Sequence, residues 1–245
     1  MHEVFTIRAI RQENARTRTL VCDRPLPAEP GQFVMLWLPG VGEKPFSIAA
    51  DAPLTLTIVA VGPVTEAAQH LAVGDRLWVR GPLGQGYALA GARVLLAGGG
   101  YGVAPLRFLA ERALTQGRAV EVCIGARTAT DVLLAAEFAA LGVPTHIATD
   151  DGSLGERGLV TAPLARRIAA WQPDLVCACG PTAMLEAVER LCAERRVPCQ
   201  LSWEALMRCG HGVCGSCECH RPGWLACIDG PVAVGNTPVA ARDRT

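Results

Sequence analysis

Cys209, Cys214, Cys217 and Cys227 lie in the run CGHGVCGSCECHRPGWLAC, spaced C-x4-C-x2-C-x9-C. Thiolates this close hold a metal or cluster iron unless they pair as disulfides. The first three repeat the C-x4-C-x2-C spacing of plant-type [2Fe–2S] ligation. A centre of that kind moves single electrons, so the rest of the chain has to supply their source and destination. Zinc is the alternative, because it takes the same thiolates. Zinc sites usually use two C-x2-C knuckles, however, and only Cys214 and Cys217 are so spaced. Glycines at 210, 212 and 215 suit a loop wrapped around a cluster with its N–H groups turned to the sulfurs. Cys219 is either an adventitious ligand or a competitor of Cys217, since alternate residues of an extended segment share a face. His211 and His220 read as solvent-facing loop histidines.

The remaining composition bounds the setting. The chain has 245 residues, enough for one to three domains and a sizeable core. Its formal net charge is zero, which leaves no broad electrostatic footprint for nucleic acid or an anionic membrane. The first residues alternate as a strand instead of forming a charged head and apolar core, so no signal peptide is read. No apolar run is long enough for a transmembrane helix. The expectation is a cytoplasmic protein. There are eleven cysteines, and Cys22, Cys123, Cys177, Cys192 and Cys199 are scattered through apolar stretches as small buried hydrophobes. Clustered cysteines without a signal peptide read as a metal or redox centre before a disulfide framework.

The elements that must position the cysteines fall into three blocks. Residues 1–91 read as all-β, with strands over 4–10, 17–21, 33–37, 54–61 and 76–80 separated by Pro and Gly turns, and one helical stretch over 65–71. From Ala92 the rhythm changes. Strands over 94–97, 120–124, 145–149 and 175–178 alternate with helices over 105–116, 131–141, 159–168 and 182–195, the pattern of a parallel α/β sheet. Residues 199–245 are short, Cys- and Gly-rich segments with no room for a core of their own, which a metal centre would stabilise. The expected fold class is therefore α+β multidomain: an N-terminal antiparallel β-barrel, a central α/β domain over 92–198 and a small C-terminal cluster domain.

Three further motifs carry chemistry. Gly98-Gly99-Gly100-Tyr101-Gly102-Val103-Ala104-Pro105 follows a strand and opens a helix, where glycines let the backbone approach a pyrophosphate at a helix N-terminus. It lacks the usual G-x-G-x-x-G with a later acidic residue, and a plain tight turn is the bland reading. Cys179-Gly180-Pro181 ends a parallel strand, where such sheets bind ligands; a buried thiol beside a turn is the alternative. Lys44-Pro45-Phe46-Ser47-Ile48 combines a cation, an aromatic ring and a hydroxyl. It suits an anionic planar cofactor, or is an ordinary strand.

Taken in order, KPFS, GPLGQGY, GGGYGVAPL, TDDGSLGERGLVT, CGP and the cysteine run ending in CIDGP resemble one family over essentially the whole chain. It is similar to the electron-transfer subunits of the NAD-dependent, two-subunit dihydroorotate dehydrogenases, within the ferredoxin–NADP reductase superfamily. The resemblance implies FAD in the barrel, NAD in the α/β domain and a [2Fe–2S] cluster at the C-terminus, with Cys209, Cys214, Cys217 and Cys227 as its ligands. It places Lys44, Pro45, Phe46 and Ser47 in the flavin motif, with Ser47 near the isoalloxazine N5. Lys44 stands where the family usually has Arg, which keeps the charge and loses the bidentate fork. Ile58, Val59 and Ala60 match the next flavin-contacting strand. Thr65 and Glu66 match a helix start that binds the FAD pyrophosphate, Glu66 being a departure from the usual Thr. Gly99, Gly100 and Gly102 would hold the NAD pyrophosphate, and Cys179, Gly180 and Pro181 would lie by the nicotinamide. Asp150 and Asp151 either face the NAD ribose or cap the following turn. Arg127 occupies the place where NADP-using relatives carry a cation, and does not by itself decide NAD against NADP. The x9 spacing is shorter than the family's typical loop.

The implied activity is a relay. An FMN-containing dihydroorotate dehydrogenase catalytic subunit supplies electrons, which pass through the cluster and FAD to NAD+; the family's assembly is a heterotetramer. No catalytic acid or base is expected in this chain. A subunit of an NADH-dependent ferredoxin:NADP oxidoreductase or a sulfide dehydrogenase is the second enzyme reading. A zinc-stabilised interaction module is the non-enzyme one.

Overall fold

Short strands with alternating apolar residues close on themselves at the N-terminal end. In the computed structural model, which describes residues 1–235, β1 (Glu3–Asn14), β2 (Thr17–Cys22), β3 (Phe33–Leu38), β4 (Gly42–Asp51), β5 (Leu54–Val59) and β6 (Arg76–Leu83) form a closed barrel in the order β1-β2-β5-β4-β3-β6. Every pairing in it is antiparallel. Phe5, Ile7, Leu20, Leu36, Ile48, Leu56 and Leu77 fill the interior. Helix α1 (Pro63–Ala68) starts earlier than the expected 65–71. Thr65 is not its first residue but its capping side chain: the hydroxyl accepts the N–H groups of Val61 and Gly62, each at 2.9 Å.

The second half is a three-layer α/β unit. Its strands are β7 (Arg93–Gly99), β8 (Ala119–Ala126), β9 (Thr145–Thr149), β10 (Glu156–Arg157), β11 (Leu175–Cys179), β12 (Cys199–Ser202) and β13 (Val232–Val234). They run in the order β10-β9-β8-β7-β11-β12-β13, parallel except for β13. Strand β7 shows why both faces are covered. Val94 and Leu96 pack with α2 (Val103–Thr115) and α3 (Ala135–Ala140), whereas Leu95 and Ala97 pack with α4 (Thr161–Trp171) and α5 (Thr182–Arg195). The helix expected over 131–141 is shorter, because Leu134 adopts a left-handed φ of 58° just before α3.

Two features position the sites. Helix α2 lies between the sheet and the barrel: Phe108 enters the barrel cluster, and Arg112 donates to the Ala28 carbonyl at 3.2 Å and to Asp51 at 3.3 Å. The Gly-rich turn that opens α2 is thereby fixed against the barrel. The cysteine run is an excursion between β12 and β13, two strands of the same sheet, so the expected division at 198/199 falls at the start of β12. Trp203, Met207, Cys217, Trp224, Leu225 and Cys227 join one continuous core with Leu95 and Val176 of the sheet and Phe33 and Met35 of the barrel. Among the described residues no helix is long and apolar enough to cross a membrane.

Candidate functional site

The chain leaves β7 for β8 on one side and returns to β11 on the other. Parallel sheets bind ligands at such a reversal, beyond the carboxyl ends of the strands. A cavity of about 630 Å³ opens there, lined by Gly99 at the end of β7 and Gly100 just after it, Arg127 after β8, Asp150 after β9 and Pro181 after β11. That volume suits a small-molecule cofactor. Arg16, Val59 and Val61 close it from the barrel, and Tyr101, Leu159 and Met184 from the sheet domain. Of the residues expected around a dinucleotide, Gly99, Gly100 and Pro181 line this cavity, and Gly102, Cys179 and Gly180 do not. A β-carbon on Gly102 would overlap the Cys179 carbonyl oxygen, so the two turns approach backbone to backbone. The Cys179 side chain is buried, and burial pushes its thiol up to about 12.

Asp150 and Asp151 divide the two readings between them. Asp150 lines the cavity. Asp151 caps the next turn: its Oδ1 accepts from the Ser153 backbone N–H at 2.9 Å and the Ser153 hydroxyl at 2.6 Å, which holds its carboxyl below the usual range. Sequence reasoning missed Arg16, because only the packing of the β1–β2 hairpin tip against the sheet domain brings it here. It missed Tyr101 although the residue stands inside the glycine motif.

In the barrel, strand alternation decides what a cofactor can meet. Phe46 and Ile48 of β4 and Ile58 of β5 point into the barrel core, with Phe46 9% exposed and Ile58 1%. Those side chains are spent on the core, so a flavin would meet Phe46 and Ile58 through their backbone. Lys44 is exposed, Ser47 and Val59 are half-buried, and neither Lys44 nor Ser47 has a side-chain hydrogen bond or ion pair among the described residues. An unpaired cation and a free hydroxyl on one strand fit a phosphate-bearing flavin.

The cysteine loop carries all four predicted ligands and brings Cys217 and Cys227 together; among the described residues no three His, Cys, Asp or Glu side chains are grouped closely enough to hold a single metal ion. Cys217 and Cys227 are buried with their sulfurs 3.2 Å apart. A short hairpin accomplishes this within the x9 spacing: Glu218 bridges Leu225, and the Ala226 N–H donates to the Cys217 carbonyl at 3.1 Å. Cys209 is half-buried and Cys214 exposed, while burial and the neighbouring Cys217 push the Cys227 thiol up to about 12. The Cys217–Cys227 pair would suit one iron of a [2Fe–2S] cluster. The backbone also turns donors inward. His211 N–H reaches Cys209 Sγ at 3.4 Å and Gly212 N–H reaches Cys227 Sγ at 3.2 Å. Gly210 and Gly212 permit this with φ of +68° and +74°, a region unfavourable to side-chain-bearing residues. The His211 N–H lowers the Cys209 thiol below its ordinary value, and the Ser216 hydroxyl brings Cys214 down to about 6. These donors and thiols fit an iron–sulfur cluster.

The neighbouring residues meet expectation only in part. Cys219 turns to a second cavity, of about 410 Å³, beside Thr182, Trp203 and His220. His220 is not solvent-facing: its ring stacks on Trp203 at 4.2 Å and 22°. His211 is exposed but meets Arg80 of β6, Nη1 to Nε2 at 2.5 Å. Both contacts join segments far apart in sequence, which is why neither is visible from the motif.

Comparison with known proteins agrees with this division. The oxidoreductase NAD-binding domain model matches residues 96–190, and the model for the iron–sulfur cluster binding domain of dihydroorotate dehydrogenase B matches residues 204–237. A protein of Thermococcus kodakarensis named as a probable dihydroorotate dehydrogenase B (NAD(+)) electron transfer subunit is 40% identical over 96% of this chain and 97% of its own. A protein of Methanopyrus kandleri with the same name is 41% identical over 91% of this chain and 86% of its own. The chain belongs to the dihydroorotate dehydrogenase B electron-transfer subunit family. Among solved structures, a chain of an NADH-dependent reduced ferredoxin–NADP oxidoreductase superposes with a TM-score of 0.85 at 28% identity, over 95% of this chain and 88% of that one.

As a dihydroorotate dehydrogenase B electron-transfer subunit, the chain is an NAD-linked oxidoreductase component. Its NAD-binding domain carries the cavity, and its iron–sulfur domain carries the paired cysteines. The barrel, the parallel sheet and the cysteine excursion are the layout of the ferredoxin–NADP reductase fold.

Proposed function

We propose that this chain is the redox half of a two-subunit enzyme that oxidises dihydroorotate at the expense of NAD+. Dihydroorotate loses two electrons and two protons to become orotate. NAD+ takes both electrons and one proton, and the second proton is released. The oxidation of dihydroorotate is assigned to an FMN-containing catalytic subunit, with two copies of each subunit in the assembly. When bound, the cluster supplies one-electron transfer and FAD supplies the step from single electrons to a hydride for NAD+.

The chain's own residues bind and orient. Cys209, Cys214, Cys217 and Cys227 hold the cluster. Lys44 would supply charge to the FAD phosphate or ribose, and the Ser47 hydroxyl would serve the flavin ring. Pro45, Phe46, Ile58, Val59 and Ala60 form the flavin-facing wall, the core-directed side chains contributing backbone. Thr65 and Glu66 shape the helix start for the FAD pyrophosphate. Gly99, Gly100 and Gly102 let the backbone approach the NAD pyrophosphate, and Cys179, Gly180 and Pro181 border the nicotinamide.

One observation carries this reading: the cluster loop and the NAD cavity share no lining residue, and the loop comes to the surface. Cys214 is exposed, Val213 is 85% exposed and Ile228 43% exposed. An apolar rim around a thiol that holds iron suits docking of a partner that delivers electrons. The likeness to the NADH-dependent ferredoxin–NADP oxidoreductase chain favours a second reading, in which the same layout serves a different partner.

Capture of the full chain with its native partner separates the two. An FMN-containing (β/α)8-barrel flavoprotein, and dihydroorotate-dependent NADH formation by the pair, support the proposal. A larger ferredoxin-like flavoprotein, with no turnover of dihydroorotate, moves the assignment to the second reading.

A further inference from the structure

Arg80 lies on β6 opposite Met35 of β3, at the wall of the barrel against which the cysteine loop packs. Glu43 of β4 holds its guanidinium at two points, Nε to Oε1 at 3.3 Å and Nη2 to Oε2 at 3.0 Å. His2 Nε2 donates to Oε1 of the same carboxylate at 3.0 Å. The third guanidinium nitrogen, Nη1, meets His211 Nε2 at 2.5 Å. Arginine only donates, so Nε2 of His211 must accept and the ring proton sits on Nδ1. His211 stands between two cluster ligands, and its backbone N–H donates to Cys209 Sγ at 3.4 Å. A β-carbon on Gly210, between Cys209 and His211, would lie 3.3 Å from Arg80 Nη1 and 3.1 Å from Met35 Cγ. The loop therefore rests directly on this side chain.

We infer that Arg80 is a positioning residue for the iron–sulfur site: anchored by Glu43, it fixes His211 and with it the N–H donor to Cys209, and so raises the reduction potential of the cluster. The inference rests on the iron–sulfur reading of the four cysteines. Two physical effects act in the same direction. A hydrogen bond to a ligating sulfur withdraws charge and favours the reduced, more negative cluster. A guanidinium beside the loop adds favourable interaction with that extra negative charge. Lysine at this position keeps the charge but loses the fork that engages Glu43 and His211 together.

The test is a dye-mediated potentiometric titration of the cluster in the full chain, read by electron paramagnetic resonance, with iron content measured on every sample. Arg80→Gln is expected to shift the midpoint potential to more negative values and to change the spectrum of the reduced cluster, with the iron content of the wild type. His211→Ala, in an exposed loop, removes the same link without touching the barrel and is expected to shift the potential the same way. The double variant is expected to go little further than the larger single shift. Arg80→Lys is expected to recover only part of it. A wild-type potential and spectrum in iron-loaded Arg80→Gln or His211→Ala overturns the inference, as does a double-variant shift equal to the sum of the two. A wild-type chain that binds no iron overturns the iron–sulfur reading itself, and this inference with it.

Discussion

The Tyr101 hydroxyl donates to Glu204 Oε2 at 3.0 Å, joining the Gly-rich turn at the NAD cavity to the segment that leads into the cysteine loop. The two residues lie 103 positions apart, and no local motif connects them. Tyr101 also lines the cavity, so the bond fixes a ring in the wall where a dinucleotide would bind.

Loss of that bond alone should loosen the ring. Tyr101→Phe is expected to raise the KM for NADH about two- to tenfold, the equivalent of one hydrogen bond of about 0.5–1.5 kcal/mol. The iron content and flavin content should be those of the wild type. Steady-state NADH:dye reductase kinetics measure it, and an unchanged KM contradicts the role.

Gly102 has no room for a side chain. Gly102→Ala must push the turn after β7 away from the Cys179 carbonyl. Overpacking of this kind costs about 1–3 kcal/mol. The expected outcome is a lower Tm and weak NADH binding, with the visible spectrum of the iron–sulfur domain retained. Tight NADH binding by the folded variant would contradict the placement of the cavity.

The cysteine loop distinguishes ligand from bystander. Cys217→Ser should lose cluster iron and destabilise the segment that shares the core with Trp224 and Met207. Cys219→Ser should keep full iron content, because Cys219 faces the second cavity with Trp203 and His220. Iron analysis and visible absorption decide the point, and loss of iron from Cys219→Ser would reassign it as a ligand.

Cys179 borders the site but its thiol is pushed up to about 12 by burial. The thiolate is the reactive form, so it accumulates only as the pH approaches that value. In the native protein at about pH 8, Cys179 should stay unmodified by iodoacetamide and become modified once the chain is unfolded in urea. Mass mapping of the alkylated peptides tests this. Rapid modification in the native state would mean that the thiol is open to the cavity.

Much of this was legible where the chemistry is local in sequence. The cysteine spacing pointed to a cluster because the four candidate ligands sit on one loop, and Gly99, Gly100 and Pro181 pointed to the cavity because each lies at or just past the end of a parallel strand. The flavin motif was legible as a motif but not in its side-chain directions, which follow from register: Phe46 and Ile58 fall on the inward side of β4 and β5. Arg16, Tyr101–Glu204, Arg80–His211 and the His220 stack on Trp203 depend on packing between the barrel, sheet and cysteine loop. No window of residues contains both partners of those contacts. The x9 spacing is short as a number, and the hairpin from Cys217 to Cys227 shows how it still brings the two sulfurs within 3.2 Å.

The central claim is that this one chain connects NADH to an iron–sulfur cluster held by Cys209, Cys214, Cys217 and Cys227. Anaerobic addition of NADH to the purified, cofactor-loaded protein, followed by low-temperature electron paramagnetic resonance, tests it most directly. The account predicts bleaching of the visible spectrum and the signal of a reduced [2Fe–2S] cluster, lost in Cys217→Ser. A colourless protein that contains zinc, or a cluster that dithionite reduces and NADH does not, would contradict it.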